Sequence, residues 1–306
     1  SGWNFASGVE PMAIAEILEP LYRMSESWDR LVGVYQLELE QVADPEQRLA
    51  KIHRIAEIAE DRAAEPQIAF EGHQRALMEH PGDERSTADA ERLAGALGNW
   101  EQLADTLATV CQQAEGAPTR LQAGHRLARI FENELGDVQR AVDAHLFVLA
   151  TSPQDAESLE ALDRIYTENG ASEALQEVLQ RRIPITDDLP SKVDISFRRA
   201  QVLENDLGRI DEAVVVYLGL LANLDKEHEP SIQALANIYT EKRDWRSLYS
   251  TFEKELGVAL GDSGRSDVFA KMARLSSDHL GEHDRAIATW TQVLDLRGED
   301  PEALSA

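Results

Sequence analysis

Four alanines set the frame of this chain. Ala69, Ala141, Ala213 and Ala286 lie 72, 72 and 73 residues apart. Three of them close the same phrase, which first reads Leu135-Gly136-Asp137-Val138-Gln139-Arg140-Ala141. It returns as Leu207-Gly208-Arg209-Ile210-Asp211-Glu212-Ala213 and as Leu280-Gly281-Glu282-His283-Asp284-Arg285-Ala286. A weaker copy ends at Ala69, with Ala64 where the glycine stands elsewhere. Each phrase is a helix end, a glycine turn and a new helix opening on a small residue. A fixed period of this length signals a repeat architecture. A chain so built grows by stacking units and needs no single globular core. The double repeats fall at about 11–82, 83–154, 155–226 and 227–298, with 299–306 opening a further one.

Each period holds four helical stretches, A to D. In the first, helix A covers Pro11 to Met24, with Ile14, Ile17, Leu18, Leu21 and Tyr22 on one face. Helix B runs from about Glu26 to Val42, with Trp28, Leu31, Tyr35 and Leu39 at helical spacing. Helix C opens at Asp44-Pro45, an acidic cap followed by proline at the first helical position. Helix D runs from Pro66 to about Met78 and stops at His80-Pro81-Gly82. Later periods repeat the columns. Trp100 and Trp245 answer Trp28, and Ser172 takes that place in the third period. Leu31, Leu103, Leu175 and Leu248 form one apolar column, and Leu77, Leu149, Leu221 and Leu294 another. Cys111 stands where Leu39, Ile183 and Leu256 stand, which predicts an inert buried thiol. Connections are short and no alternating strand pattern occurs, so neighbouring helices form antiparallel hairpins.

The hairpins resemble the tetratricopeptide repeat (TPR). Leu127-Ala128, Phe131, Ala141 and Pro153 follow that family's order of small contact residues, aromatic, buried alanine and closing proline. The A–B hairpins look similar, as in Leu235-Ala236 with Tyr239, but carry leucine where the family favours alanine. The resemblance implies an all-α, right-handed α-solenoid of about eight hairpins. Asp300-Pro301-Glu302-Ala303-Leu304 starts another helix A. Trp3-Asn4-Phe5-Ala6 puts Phe5 in the Leu77 column. Both ends therefore read as cuts within a longer array.

Composition bounds the partners. The chain carries 30 basic and 56 acidic residues, a net charge of −26. Nucleic-acid affinity rests on lysine and arginine neutralising phosphates, so that class of partner is excluded, and anionic membrane surfaces with it. No run of about 18 apolar residues predicts a membrane span. One cysteine cannot form an internal disulfide and fits a reducing, cytoplasmic compartment.

Signals for chemistry are weak. Gly261-Asp262-Ser263-Gly264 spells a serine-protease tetrapeptide but sits in an all-helical setting and reads as a glycine-rich turn between helices. His73 and His145 occupy a helix D column continued by Tyr217 and Trp290, which predicts packing. No histidine or cysteine spacing suits a metal, and no cofactor motif occurs. The chain is expected to be non-catalytic.

What stands out is a basic file. The resemblance implies that the first helix of each hairpin lines a concave groove. Arg54, Arg126, Arg198 and Lys271 then share one groove position on helix C, and His53 and His125 precede two of them. Arg129 and Arg274 lie one turn on, and Arg92 and Arg164 occupy a matching place on helix A. Guanidinium forks suit carboxylates, which predicts a protein or peptide partner with an acidic segment or a C-terminal carboxylate. The competing expectation is an internal ladder with Glu60, Glu132 and Glu204, which also recur at 72. The sequence leaves two further roles open: a structural spacer that self-associates end to end, and a regulatory arm of an enzyme whose catalytic domain lies elsewhere.

Overall fold

The computed structural model describes residues 11–305; Trp3 and Phe5 lie outside them, as does the side chain of Ile14. Among the described residues there are helices and no strands. The chain divides into two compact units, Ser1–Ser158 and Leu159–Ala306.

In the first unit, α1 (Pro11–Met24), α2 (Trp28–Leu39), α3 (Pro45–Asp61) and α4 (Pro66–Glu79) form the first period. They are followed by α5 (Glu84–Leu97), α6 (Trp100–Gln113), α7 (Ala117–Arg129) and α8 (Val138–Thr151). The division falls within α9 (Ala156–Glu168). The second unit continues with α10 (Ser172–Ile185), α11 (Leu189–Gln201) and α12 (Ile210–Asn223). Then come α13 (Glu229–Lys242), α14 (Trp245–Val258), α15 (Gly261–Leu275), α16 (His283–Arg297) and the short α17 (Pro301–Ser305). Within each unit, helices pack on those that follow them in sequence.

The recurring phrase explains the hairpin turns. Three C helices end in a π-helical turn: Ile130–Glu134, Val202–Asp206 and Ser276–Leu280. The amide of Leu135 donates to Ile130 O at 3.0 Å and that of Asp137 to Phe131 O at 2.8 Å. Such wide bonds satisfy carbonyls that a helix end would leave bare. They need a left-handed residue, supplied by Gly136, Gly208 and Gly281 with φ of +63°, +65° and +66°. At the first turn Ala64 takes φ +56° instead, although a Cβ there is unfavourable. The framing alanines Ala69, Ala141, Ala213 and Ala286 are all buried, letting the two helices of each hairpin approach. Asp44 and Asp188 cap α3 and α11 through the amides of Gln47 and Ser191.

Leu31, Leu103, Leu175 and Leu248 are buried throughout, as are Leu77, Leu149 and Leu221, whereas Leu294 is half-buried. Trp28, Trp100 and Trp245 are equivalent, as the aligned columns require: each opens its helix and packs half-buried against the core. Three expectations need correction. Helix α2 starts at Trp28, because Glu26 adopts φ +52° and cannot continue a helix. Ile17 and Leu21 are exposed, although Leu93, the equivalent of Leu21, is buried. Leu93 lies on α5, which packs on α4; no described helix precedes α1. Finally, Gly261–Gly264 is the first turn of α15 and not a loop, with Gly261 at φ +67° starting it.

Candidate functional site

Helices of types A and C carry every residue of the basic file, and the structure shows where each cation goes. In the second period, Arg126 on α7 bonds to Glu91 on α5 at 2.8 Å. In the third, Arg198 on α11 places two nitrogens on the carboxylate of Asp163 on α9, at 2.9 and 3.2 Å. The separation is 35 residues in both cases. At the ends of the file the pattern lapses. Arg54 turns to Glu57 in its own helix at 3.2 Å, while Glu19 pairs with Arg23. Lys271 reaches back to Glu255 on α14 at 2.7 Å.

The A-helix cations behave differently. Arg92 grips both oxygens of Glu60 at 2.5 and 2.8 Å, which raises its own pKa and holds the Glu60 carboxyl below its usual range. Arg164 is exposed, with Glu168 at 3.9 Å. Arg129 and Arg274 are exposed on their helices. Of the three glutamates expected to form a ladder, Glu60 pairs with Arg92 rather than Arg54. Glu132 lies 3.9 Å from His145, and Glu204 accepts from the Tyr217 hydroxyl at 2.7 Å. The missed partners are Glu91 and Asp163. Their signal was present, since Glu19, Glu91 and Asp163 also recur at 72.

Asp163 is the most consequential of these. Its carboxylate is buried, bonded to Arg198 and also to Arg182 of α10. Arg182 also meets Glu160 at 3.4 Å, so the two guanidiniums face two carboxylates. Arg164, Arg182, Arg198 and Thr167 line a hollow of about 430 Å³ around Asp163, with Glu160 and Glu168 at its edge.

The two predicted histidines take part in a repeated clasp. His53 Nε2 lies 2.8 Å from Asp83 and 3.0 Å from the Ser86 hydroxyl. Asp83 also caps α5 by accepting from the Ser86 amide at 2.8 Å. His73 Nδ1 reaches the same hydroxyl at 3.4 Å. One period later His125 lies 3.2 Å from Asp155, and His145 Nδ1 lies 3.2 Å from Ser158. The clasp ties a C helix, a D helix and the next A helix together. The residue types are those of a nucleophilic triad, but the geometry is not. Aspartate and serine meet the same imidazole nitrogen, and Ser86 and Ser158 are wholly buried. Burial pushes the pKa of His73 and His145 down, so both pack as neutral rings. Burial likewise raises the Cys111 thiol to about 11.

Among the described residues, no cluster of three histidine, cysteine or acidic side chains could hold a metal. None of their helices is long and apolar enough to cross a membrane.

Residues 231–266, spanning α13, α14 and the start of α15, match the model of the tetratricopeptide repeat. That stretch is similar to one tetratricopeptide repeat. The matched stretch is an A–B hairpin, the one that carries Leu235, Ala236 and Tyr239, and its period includes the last of the three glycine turns. No curated protein matches the sequence. Among solved structures, the chain is similar to a tetratricopeptide repeat protein from Parabacteroides merdae. That match has 13% identity and a TM-score of 0.34, covering 85% of this chain and 96% of that one. It is also similar to YrrB, described as a TPR protein with an unusual peptide-binding site, at 12% identity and a TM-score of 0.34, covering 60% and 89%. A third is the TPR2AB domain of yeast Sti1 in complex with an HSP90 peptide, at 14% identity and a TM-score of 0.31, covering 85% and 94%.

Proposed function

We propose that this chain is a non-catalytic protein-interaction scaffold that holds an extended protein segment against its A and C helices. The observation that carries this reading is the C-helix row itself. Successive periods repeat one backbone geometry and set a basic side chain at the same place, Arg54, Arg126, Arg198 and Lys271, which suits regularly spaced contacts with an extended segment. In the two middle periods the row's cations are tied to Glu91 and Asp163, and there they serve to fix one hairpin's register against the next. A peptide-display selection against the full chain tests the reading. Enrichment of a shared motif supports it; a library that returns no motif over several rounds defeats it. Sedimentation at rising concentration separates it from an end-to-end self-associating spacer, which would gain mass steadily.

A second reading is favoured by the hollow at Asp163: a partner's acidic side chain or C-terminal carboxylate bonds Arg164 and Arg198 there. Such pairs contribute modestly, about 0.5–1.5 kcal/mol each when partly exposed. Changing Arg54, Arg126, Arg198 and Lys271 together to glutamine distinguishes the roles. Lost binding of an acidic peptide with an unchanged melt supports the carboxylate site. A lowered melt assigns the row to the internal ladder.

A further inference from the structure

The third period departs from the clasp at both of its poles. Where His53 and His125 stand on helices α3 and α7, α11 carries Phe197. Where Asp83 and Asp155 cap the following A helix, His228 caps α13, its Nδ1 accepting from the Ser231 amide at 3.3 Å. The histidine–aspartate contact is replaced by an aromatic pair, Phe197 and His228 edge to face at 5.0 Å. Beside that pair lies an open hollow of about 480 Å³, walled by Leu189, Pro190, Val193, Phe197 and Leu224. Leu189 is half exposed at its mouth, where the other periods place Pro45, Ala117 and Asp262. In a column that reads His53, His125, Phe197 and Ala270, the third period leaves hydrophobic surface open beside an aromatic ring, a place for a side chain from outside.

The rim indicates what that side chain brings with it. Segments 187–194 and 224–229, which form the hollow's edges, hold six carboxylates against two lysines. Asp194 and Asp225 line it directly. Asp188 and Asp225 are occupied in part by the amides of Ser191 and Glu227, but Asp194 stands exposed on α11. We propose that this hollow receives an aliphatic or aromatic side chain of a partner segment whose neighbouring residues are lysine or arginine. The apolar wall provides the anchor and the rim selects the charge, in a molecule whose whole surface favours cationic partners at long range. The inference rests on the scaffold reading and goes beyond it by naming the chemistry of the segment and where it sits. It gives the opposite charge preference to the carboxylate reading.

The test uses the full chain and three blocked peptides, with amide chemical shifts and calorimetry as readouts. The first is Lys-Lys-Leu-Lys-Lys, the second has asparagine for the leucine, and the third has glutamate for every lysine. The expected result is binding of the first at least tenfold tighter than of either control, with shifts centred on Val193, Phe197 and His228. Leu189→Ser and Asp194→Lys are exposed substitutions whose unchanged melts are checked first. Each is expected to weaken the first peptide about five- to tenfold. The inference is overturned if the first peptide does not bind at millimolar concentration or ignores both substitutions. It is also overturned if its shifts scatter over the acidic surface, or if the glutamate peptide binds better with shifts at Arg164 and Arg198. Any of these results alongside a motif from peptide display would leave the scaffold reading standing and remove only this site.

Discussion

Arg198 and Asp163 meet through two hydrogen bonds, of 2.9 and 3.2 Å, between helices 35 residues apart in sequence. The carboxylate is buried and the guanidinium is about one-third exposed. Removing a buried carboxylate strands its partners, here Arg182 as well as Arg198. Asp163→Ala is expected to lower stability by about 2–4 kcal/mol, the lower part of the range reflecting the water that still reaches both arginines. Asp163→Asn keeps two acceptor positions and should lose less. Urea unfolding followed by circular dichroism measures both, and a loss for Asp163→Ala below about 1 kcal/mol would contradict the assignment.

Acid should act in two separate windows. Burial sets the folded-state pKa of His73 and His145 below the ordinary 6.5. The unfolded chain therefore takes up protons first as pH falls. The stability these rings contribute is complete above about 6.5 and declines below it. Glu79 behaves at lower pH. Arg48 donates to both its oxygens at 2.9 and 2.8 Å and Arg75 adds a third bond, holding its pKa at about 2 against an ordinary 4.5. Its contribution is present above 4.5 and disappears toward 2. Urea midpoints at several pH values should show the upper decline flattened in a His73→Gln, His145→Gln variant and the lower one flattened in Glu79→Gln. Parallel curves for all three proteins would refute the linkage.

Ala64 is the one member of its series that is not glycine, at φ +56°. A left-handed alanine costs roughly 1–2 kcal/mol, and glycine loses about 0.5–1 kcal/mol more chain entropy on folding. Ala64→Gly should thus stabilise the first hairpin by about 0.5–1 kcal/mol. Gly136→Ala should do the reverse by a similar amount. A stabilising Gly136→Ala would show that the glycine turns are not required.

At Gly124 a Cβ would stand 2.7 Å from a methyl of Val148, on the helix that α7 packs against. The gain in helix propensity, about 0.5–1 kcal/mol, is outweighed by overpacking of about 1–3 kcal/mol, because valine has little rotamer freedom to yield. Gly124→Ala is expected to lose about 1 kcal/mol in the same urea assay.

Cys111 offers a chemical probe. Buried, with its thiol raised to about 11, it should not react with an aromatic disulfide reagent at pH 8 until the protein unfolds. Rapid colour in native buffer would place it at the surface.

The hairpins were legible in the sequence because their determinants are local. A glycine that must take positive φ, an aspartate ahead of a proline and an alanine at a helix crossing each dictate backbone within a few residues. The pairing of the basic row was not legible. Glu60, Glu132 and Glu204 recur with the same period as Glu19, Glu91 and Asp163, so periodicity cannot choose between the two sets. The choice depends on how far one hairpin is rotated against the next, which side-chain packing decides. The half-burial of Trp28, Trp100 and Trp245 has a similar origin, since a residue that opens a helix projects past the core it flanks. The apolar hollow at Phe197 was readable only as a break in a histidine column. It acquired meaning once His228 was seen to lie against the ring.

The turns at Gly136 and Gly208 have nearly the same φ, and each is followed after one residue by a 14-residue helix. If residues 137–208 were deleted, Gly136 would be joined to Arg209, a junction of the same shape as the one lost. A gene encoding such turns can therefore gain or lose whole periods by unequal crossing-over without breaking a hairpin. Chain length in this lineage is then free to track the size of whatever the protein must reach, while each inserted copy begins as a duplicate whose exposed positions can diverge.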